Sequence, residues 1–155
     1  MDEGKPSFRR FRPVDLAECL TLFDENCPAF FAPNERSDYL DFLDAGPLDY
    51  HVGLIEGRIV CAFGLQIDRL EGTIKWILVS PRQHAKGIGT GIMERVLSES
   101  YAAGARLIRI AASHKSAQFF ARFGAQPVGE IPNGWGPGMH RVDMEMAVEP
   151  PAAPG

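Results

Sequence analysis

Residues 79–91 read Val79-Ser80-Pro81-Arg82-Gln83-His84-Ala85-Lys86-Gly87-Ile88-Gly89-Thr90-Gly91, and this stretch decides the fold. It follows Thr73-Ile74-Lys75-Trp76-Ile77-Leu78-Val79, whose β-branched and aromatic residues predict a strand. It runs into a helix predicted over about 89–103, with Ile92, Met93, Val96 and Leu97 on one buried face. Gly104 stands at the C′ position of that helix. A strand therefore passes through a glycine turn into a helix. The first turn of a helix leaves N–H groups without partners, and the helix dipole makes that end an anion site. Gly87 and Gly89 carry no Cβ, so a phosphate can approach the main chain, and Arg82 and Lys86 add charge. A curved row of N–H groups suits a pyrophosphate better than a single carboxylate. Two familiar nucleotide patterns do not fit. A phosphate-binding P-loop needs Lys and then Ser or Thr after its last glycine, but here Lys86 comes too early. A dinucleotide loop needs glycine at position 92, where Ile92 stands, and an acid after the next strand, which ends Ala111-Ala112-Ser113-His114.

Outward from this turn, the N-terminal side predicts a strand over 7–12 and a helix opened by Pro13 and Asp15. That helix buries Leu16, Cys19, Leu20 and Phe23 and closes at Pro28. The apolar connection 29–33 leads to Asn34, a plausible N-cap for a second helix bearing Tyr39, Leu40, Phe42 and Leu43, which ends at Gly46-Pro47. Strands over 50–55 and 59–67, with a turn at Glu56-Gly57-Arg58, make a meander with the strand over 73–79. On the C-terminal side, 107–112 reads as a strand that closes a parallel βαβ unit. A helix over 115–123 ends at Gly124. Strands over about 125–131 and 139–148 flank the loop 132–138, Pro-Asn-Gly-Trp-Gly-Pro-Gly. The order βααβββαβαββ predicts an α+β domain with a central mixed sheet of six or seven strands and about four helices. The domain is expected over 1–148, with a disordered tail at 149–155.

Composition narrows the function. A chain of 155 residues fits one domain, and 45% hydrophobic with 23% charged residues is ordinary for a globular protein. The formal charge of −4 gives no basic footprint, so nucleic acid is not an expected partner. No apolar run approaches the ~18 residues of a membrane span, and the N-terminus lacks the apolar segment of a secretory leader. The odd set Cys19, Cys27 and Cys61 forms no C-x-x-C pair, which predicts reduced thiols and a cytoplasmic location. His51, His84, His114 and His140 are scattered, and no metal is expected.

The strand, the turn His84-Ala85-Lys86-Gly87-Ile88-Gly89-Thr90 and the helix resemble the acetyl-CoA-binding motif of the GNAT superfamily of acetyltransferases, (Gln or Arg)-x-x-Gly-x-(Gly or Ala). Gly87 and Gly89 match the two small positions, while His84 stands where the family prefers Gln or Arg. The stretch from His114 to Ala125 is similar to the family's second motif, Asn-x-x-Ala-x-x-(Phe or Leu)-Tyr-x-x-x-Gly-Phe. Residues 138–144 resemble its last strand. The element order matches over about 7–148.

The resemblance implies an acetyl-CoA-dependent N-acetyltransferase acting on a primary amine of a small molecule or peptide. It implies that Ile77, Leu78 and Val79 hold the pantetheine arm and that His84, Ala85, Lys86, Gly87, Ile88, Gly89 and Thr90 hold the pyrophosphate. Direct attack needs a neutral amine and a base to receive its proton. The candidates by location are Asp68, Glu71, His114 and Glu35. The family's second motif supplies a tyrosine as proton donor to the leaving thiolate, but Phe120 occupies that position and cannot donate. His114, Ser113, Tyr101, Ser116 or solvent stand in for it. The acceptor pocket is expected to use the first two helices and the loop 132–138, with Phe30, Phe31, Tyr39 and Trp135 lining it. A homodimer is compatible with the family. The alternative is a non-catalytic acyl-CoA sensor or interaction module of the same fold.

Overall fold

The structure, a computed structural model, describes residues 4–150, apart from the side chains of His84, Ala85 and Lys86. The contacts expected of those three side chains, and the tail beyond residue 150, lie outside the described residues. Seven strands form one sheet: β1 (Ser7–Arg10), β2 (Tyr50–Ile55), β3 (Arg58–Asp68), β4 (Glu71–Val79), β5 (Leu107–Ser113), β6 (Gln126–Gly136) and β7 (Met139–Ala147). Their order across the sheet is β1-β2-β3-β4-β5-β7-β6. Only β4 and β5 are parallel, as the strand–helix–strand reading expects. The helices are α1 (Leu16–Glu25), α2 (Glu35–Asp44), α3 (Ile88–Ala102) and α4 (Ala117–Ala121). The mixed α+β architecture predicted from the sequence is the one observed.

Each sheet face carries its own core. On one face Ile92, Met93 and Val96 of α3 and Phe120 of α4 pack against Ile74, Ile108, Ile110 and Met144. On the other, Cys19, Leu22 and Phe23 of α1 and Tyr39 and Leu43 of α2 pack against Tyr50, Val52 and Leu78. The buried face of α1 thus takes in Leu22, and Leu16 and Leu20 are only partly covered.

Three boundaries depart from expectation, each for a local reason. β1 stops at Arg10 because Asp15, buried beneath the next turn, accepts the Arg12 N–H at 2.8 Å and both Arg9 guanidinium nitrogens at 2.7 and 2.9 Å. Residues 13–15 wind as a 3-10 turn before α1. β6 runs on through Trp135 to Gly136 instead of ending near 131, with a register break between Ile131 and Gly136. Asn133 takes φ +55° there, while its N–H donates to His140 Nδ1 and its Oδ1 accepts the Gly138 N–H. The expected loop is therefore mostly hairpin.

Two features at the sheet centre position the site. The β3–β4 register shifts between Ala62 and Gly64, so Trp76 and Ile77 together oppose Phe63. This is a β-bulge, and Trp76 holds φ +46°, a conformation that costs a non-glycine residue about 1–3 kcal/mol. The β4–β5 ladder runs only from Glu71–Leu107 to Ile74–Ile110. Beyond that point the two strands part.

Candidate active site

The parting of β4 and β5 opens a cleft of about 820 Å³. It passes through the sheet, because its lining comes from both cores. Phe31, Trp76 and Leu78 belong to the α1–α2 side, and Ile110, Phe119 and Phe120 to the α3–α4 side.

At the α3 end, Gly87 precedes the helix in a left-handed conformation, φ +75°, and among the described residues no side chain caps the helix. The first intrahelical bond runs from the Gly91 N–H to the Gly87 carbonyl at 3.0 Å. The N–H groups of the first turn are thus left for a ligand. A Cβ on Gly87 would meet nothing within 4 Å, so the main chain is open to approach there. Gly89 is different. A Cβ there would stand 2.9 Å from two ring atoms of Phe119. Gly89 therefore lets α4 pack close, in addition to any part it has in phosphate approach. Gly87, Gly89 and Thr90 line this end of the cleft, with Arg122 stacked on Phe119 beside Gly89, while Lys115 lines the cleft from the turn between β5 and α4. Ile77, Leu78 and Val79 line its wall. The side chain of Ile88 instead points into the α3 core and is buried.

At the other end stand Asn26, Phe30, Phe31, Glu35, Trp76 and Trp135. Phe30, Phe31 and Trp135 are where the sequence puts the acceptor. Tyr39 is not. It is wholly buried in the α1–α2 core, and its hydroxyl meets that of Tyr50 at 2.7 Å. Tyr50 donates in turn to the Trp76 carbonyl at 2.7 Å, so the tyrosine pair braces the bulge from beneath. Trp76 itself stacks on Phe31, with centroids 6.1 Å apart. The sequence places Trp76 within a regular strand, because nothing in Thr73–Val79 signals a bulge. The Trp135 indole donates to the Ala112 carbonyl at 2.9 Å, which fixes its ring across the splayed end of β5.

Of the four base candidates, only Glu35 lines the cleft. It sits in the first turn of α2 and is 4% exposed. Its Oε2 accepts the Ala32 N–H at 2.8 Å, and no hydrogen bond among the described residues engages Oε1. Burial pushes its pKa up to about 7; the Ala32 N–H pulls the other way, and the Asp38 charge adds to the rise. Glu71 is held by Arg109 at 2.9 and 3.1 Å, which lowers its pKa and spoils it as a base. Asp68 lies at the exposed end of β3.

The proton-donor candidates fare differently. Ser113 and Ser116 line the cleft, but their hydroxyls are spent on the turn that starts α4. Ser113 Oγ accepts from the Lys115 and Ser116 N–H groups, each at 3.2 Å, and Ser116 Oγ accepts the Ser113 N–H at 3.0 Å. His114 turns away to β7, where its ring lies 4.7 Å from that of His140 and its Nδ1 accepts the His140 N–H at 3.1 Å. Tyr101 is 47% exposed near the far end of α3 and does not reach the cleft. Phe120 is buried and lines the cleft with no hydroxyl to offer.

Residues 19–125 match the profile of the Acetyltransferase (GNAT) family. The chain belongs to this family. No curated protein matches the sequence. Among solved structures, Ard1 from Thermoplasma volcanium is similar over 94% of this chain and 99% of its own, with a TM-score of 0.77 at 18% identity. The ribosomal-protein-S18-alanine N-acetyltransferase from Escherichia coli matches over 95% of this chain and 96% of its own, TM-score 0.74, 15% identity. The protein yncA from Salmonella typhimurium, solved with its cofactor acetyl-CoA, matches over 97% of this chain and 98% of its own, TM-score 0.67, 15% identity. As a GNAT acetyltransferase, the chain is an N-acetyltransferase enzyme with acetyl-CoA as its donor. The open first turn of α3, the unobstructed Gly87 and the parted β4–β5 edge fit a ligand with a diphosphate and a long arm. Among the described residues no helix is long and apolar enough to cross a membrane.

Proposed function

We propose that this GNAT acetyltransferase moves an acetyl group to a primary amine by direct attack, with Glu35 receiving the amine proton. The observation that carries this reading is Glu35 itself: a carboxylate 4% exposed, with one oxygen uncommitted, at the cleft end away from α3. A base poised near neutral pH is half ionised where it works and holds the proton it takes.

The first-turn amides of α3, with Arg122 beside them through Phe119, hold the diphosphate. Ile77–Val79 guide the arm along β4. When bound, acetyl-CoA supplies an activated acyl carbon, to which the amine nitrogen bonds as the C–S bond breaks. The amine arrives as ammonium, and Glu35 Oε1 takes its proton, directly or through one water. A thiol has a pKa of about 8.5, so its thiolate leaves without an obligatory acid. That removes the difficulty posed by Phe120: the second nitrogen proton is shed to solvent as the C–S bond breaks, and solvent protonates the departing thiolate. Free Cys19, Cys27 and Cys61 support a reducing, cytoplasmic setting.

The phenylalanine at the family's tyrosine position favours one rival, an acyl-CoA sensor without turnover. Calorimetry with CoA together with CoA release across an amine panel separates the two. Binding with turnover supports the enzyme, and binding with none across the panel supports the sensor.

A further inference from the structure

The acceptor end of the cleft has a composition that selects among amines, and this inference rests on the acetyltransferase reading above. We propose that the acceptor is a compact arylalkyl monoamine, its ammonium beside Glu35 and its flat apolar body among Phe31, Trp76 and Trp135.

Three observations carry the choice. The first is charge. Glu35 is the one acidic residue lining the cleft among the described residues. Of the other acids nearby, Asp24 pairs with Arg36 at 2.8 Å and Glu25 with Arg82 at 2.7 Å, while Asp38, whose charge reaches Glu35, is exposed to solvent outside the cleft lining. A polyamine would bring several ammonium groups to a single carboxylate and leave the others desolvated without partners. The second is the wall. Phe31 stacks on Trp76, and the Trp135 ring is fixed by its bond to Ala112. Flat rigid rings in the lining favour a flat apolar body beside them; one face of Trp135 already carries the Arg141 guanidinium at 5.1 Å, so the ammonium is left to Glu35. The third is a clasp. Asn34, the residue before α2, donates through Nδ2 to the Trp135 carbonyl at 2.8 Å. Any side chain on Gly136 would run into Asn34 and Ala32. The β6–β7 hairpin is thereby tied to the start of α2, which bridges that flank of the cleft and favours a compact acceptor over an extended one.

The cations of the cleft do not favour a carboxylated acceptor either. Lys115 and Arg122 belong to the α4 end, where Arg122 stacks on Phe119 at 5.3 Å. Lys75 is exposed at the rim.

The test uses the full chain. Both tryptophans of the sequence, Trp76 and Trp135, line the cleft, so intrinsic fluorescence reports its occupancy. Phenethylamine, L-phenylalanine, an aminoglycoside and a short peptide with a free N-terminus are titrated with CoA present, and CoA release is followed with acetyl-CoA. The expected result is a fluorescence change with phenethylamine and a kcat/KM at least about tenfold above the other three, because mismatched buried charge is costly. Trp135→Ala is expected to raise KM for phenethylamine while leaving CoA affinity by calorimetry unchanged. Phe31→Leu, which keeps most of the volume, gives the same direction should Trp135→Ala not fold. A kcat/KM for phenylalanine, the aminoglycoside or the peptide equal to or above that of phenethylamine overturns the proposal. So does CoA binding with no response to phenethylamine. Absence of CoA binding overturns the acetyltransferase reading beneath it, a different failure seen in a different instrument.

Discussion

A side chain on Gly89 would collide with the ring of Phe119, which lies 2.9 Å from where its Cβ would be. The glycine therefore has two claims on it: phosphate approach at the opening of α3, and the seating of α4. Double substitution separates them. Gly89→Ala is expected to cost about 1–3 kcal/mol through overpacking and to weaken CoA binding. Adding Phe119→Leu, which removes the ring atoms, should restore stability by thermal melting. If it restores CoA affinity as well, Gly89 matters through packing alone. If affinity stays low, the bare main chain at residue 89 is needed for the phosphates.

Glu35 gives a pH signature. Its folded-state pKa is raised by burial to about 7, from an ordinary 4.5. Only the ionised form can accept a proton, so kcat/KM should rise with pH through an apparent pKa near 7. Glu35→Gln should lower kcat by about a hundredfold and remove that limb. Stability runs the other way. The native state holds this proton more tightly than the unfolded chain, so the Glu35 contribution declines as pH rises from about 4.5 to 7. Melting temperatures at pH 5 and pH 8 should show a smaller drop in Glu35→Gln than in the parent.

The tyrosine pair beneath β4 makes a third prediction. Tyr50→Phe removes the bond to the Trp76 carbonyl and leaves the buried Tyr39 hydroxyl without that partner. The expected cost is about 1–3 kcal/mol by denaturant unfolding. Loosening the bulge should also weaken CoA binding, measured by calorimetry. Tyr39→Phe keeps the bond from Tyr50 to Trp76 and should leave CoA affinity near that of the parent. Equal CoA affinities in the two variants would show that the brace does not position the cleft.

The strand–turn–helix core of the site is legible from the sequence because three signals coincide there: a β-branched run, paired glycines and a helical period from Ile92 to Leu97. Phe30, Phe31 and Trp135, which the family resemblance offers for an acceptor pocket, do line the cleft. The bulge at Trp76 is not legible, because no residue of Thr73–Val79 marks it, and Gly64, the glycine at the shift, lies on the neighbouring strand β3. The conformation is imposed by Tyr50 and Phe31 from elsewhere in the chain. Asn34 reads as an N-cap, and it does precede α2, but its amide is drawn to Trp135, 101 residues away in the sequence. Glu35 is indistinguishable from any acidic residue in a first helical turn until packing buries it. Tyr39 fails as a pocket residue for the converse reason: the helical period that puts it on the inner face of α2 says nothing about whether that face meets core or cleft.

Asp15 supplies a test away from the cleft. It is 3% exposed, and its pKa is lowered, first by the hydrogen bonds from Arg9. An aspartate held low stabilises the fold above its ordinary value of 3.8, and that contribution is lost as pH falls through the folded-state value. Asp15→Asn should cost about 1–3 kcal/mol at pH 7. Its acid unfolding should begin from a lower plateau and be less steep than that of the parent.

The brevity of the β4–β5 joint has a mechanical consequence. The two antiparallel halves of the sheet, β1 to β4 on one side and β5 with β7 and β6 on the other, meet along a ladder that ends at Ile74–Ile110. On the proposed function, the donor would occupy the wedge beyond that ladder, where residues of both halves line the cleft, and would act as mortar between two leaves. The enzyme and its substrate thus share the work of keeping the sheet together, and loading with CoA should raise the melting temperature, by the equivalent of about 2.7 kcal/mol at a hundredfold excess over Kd.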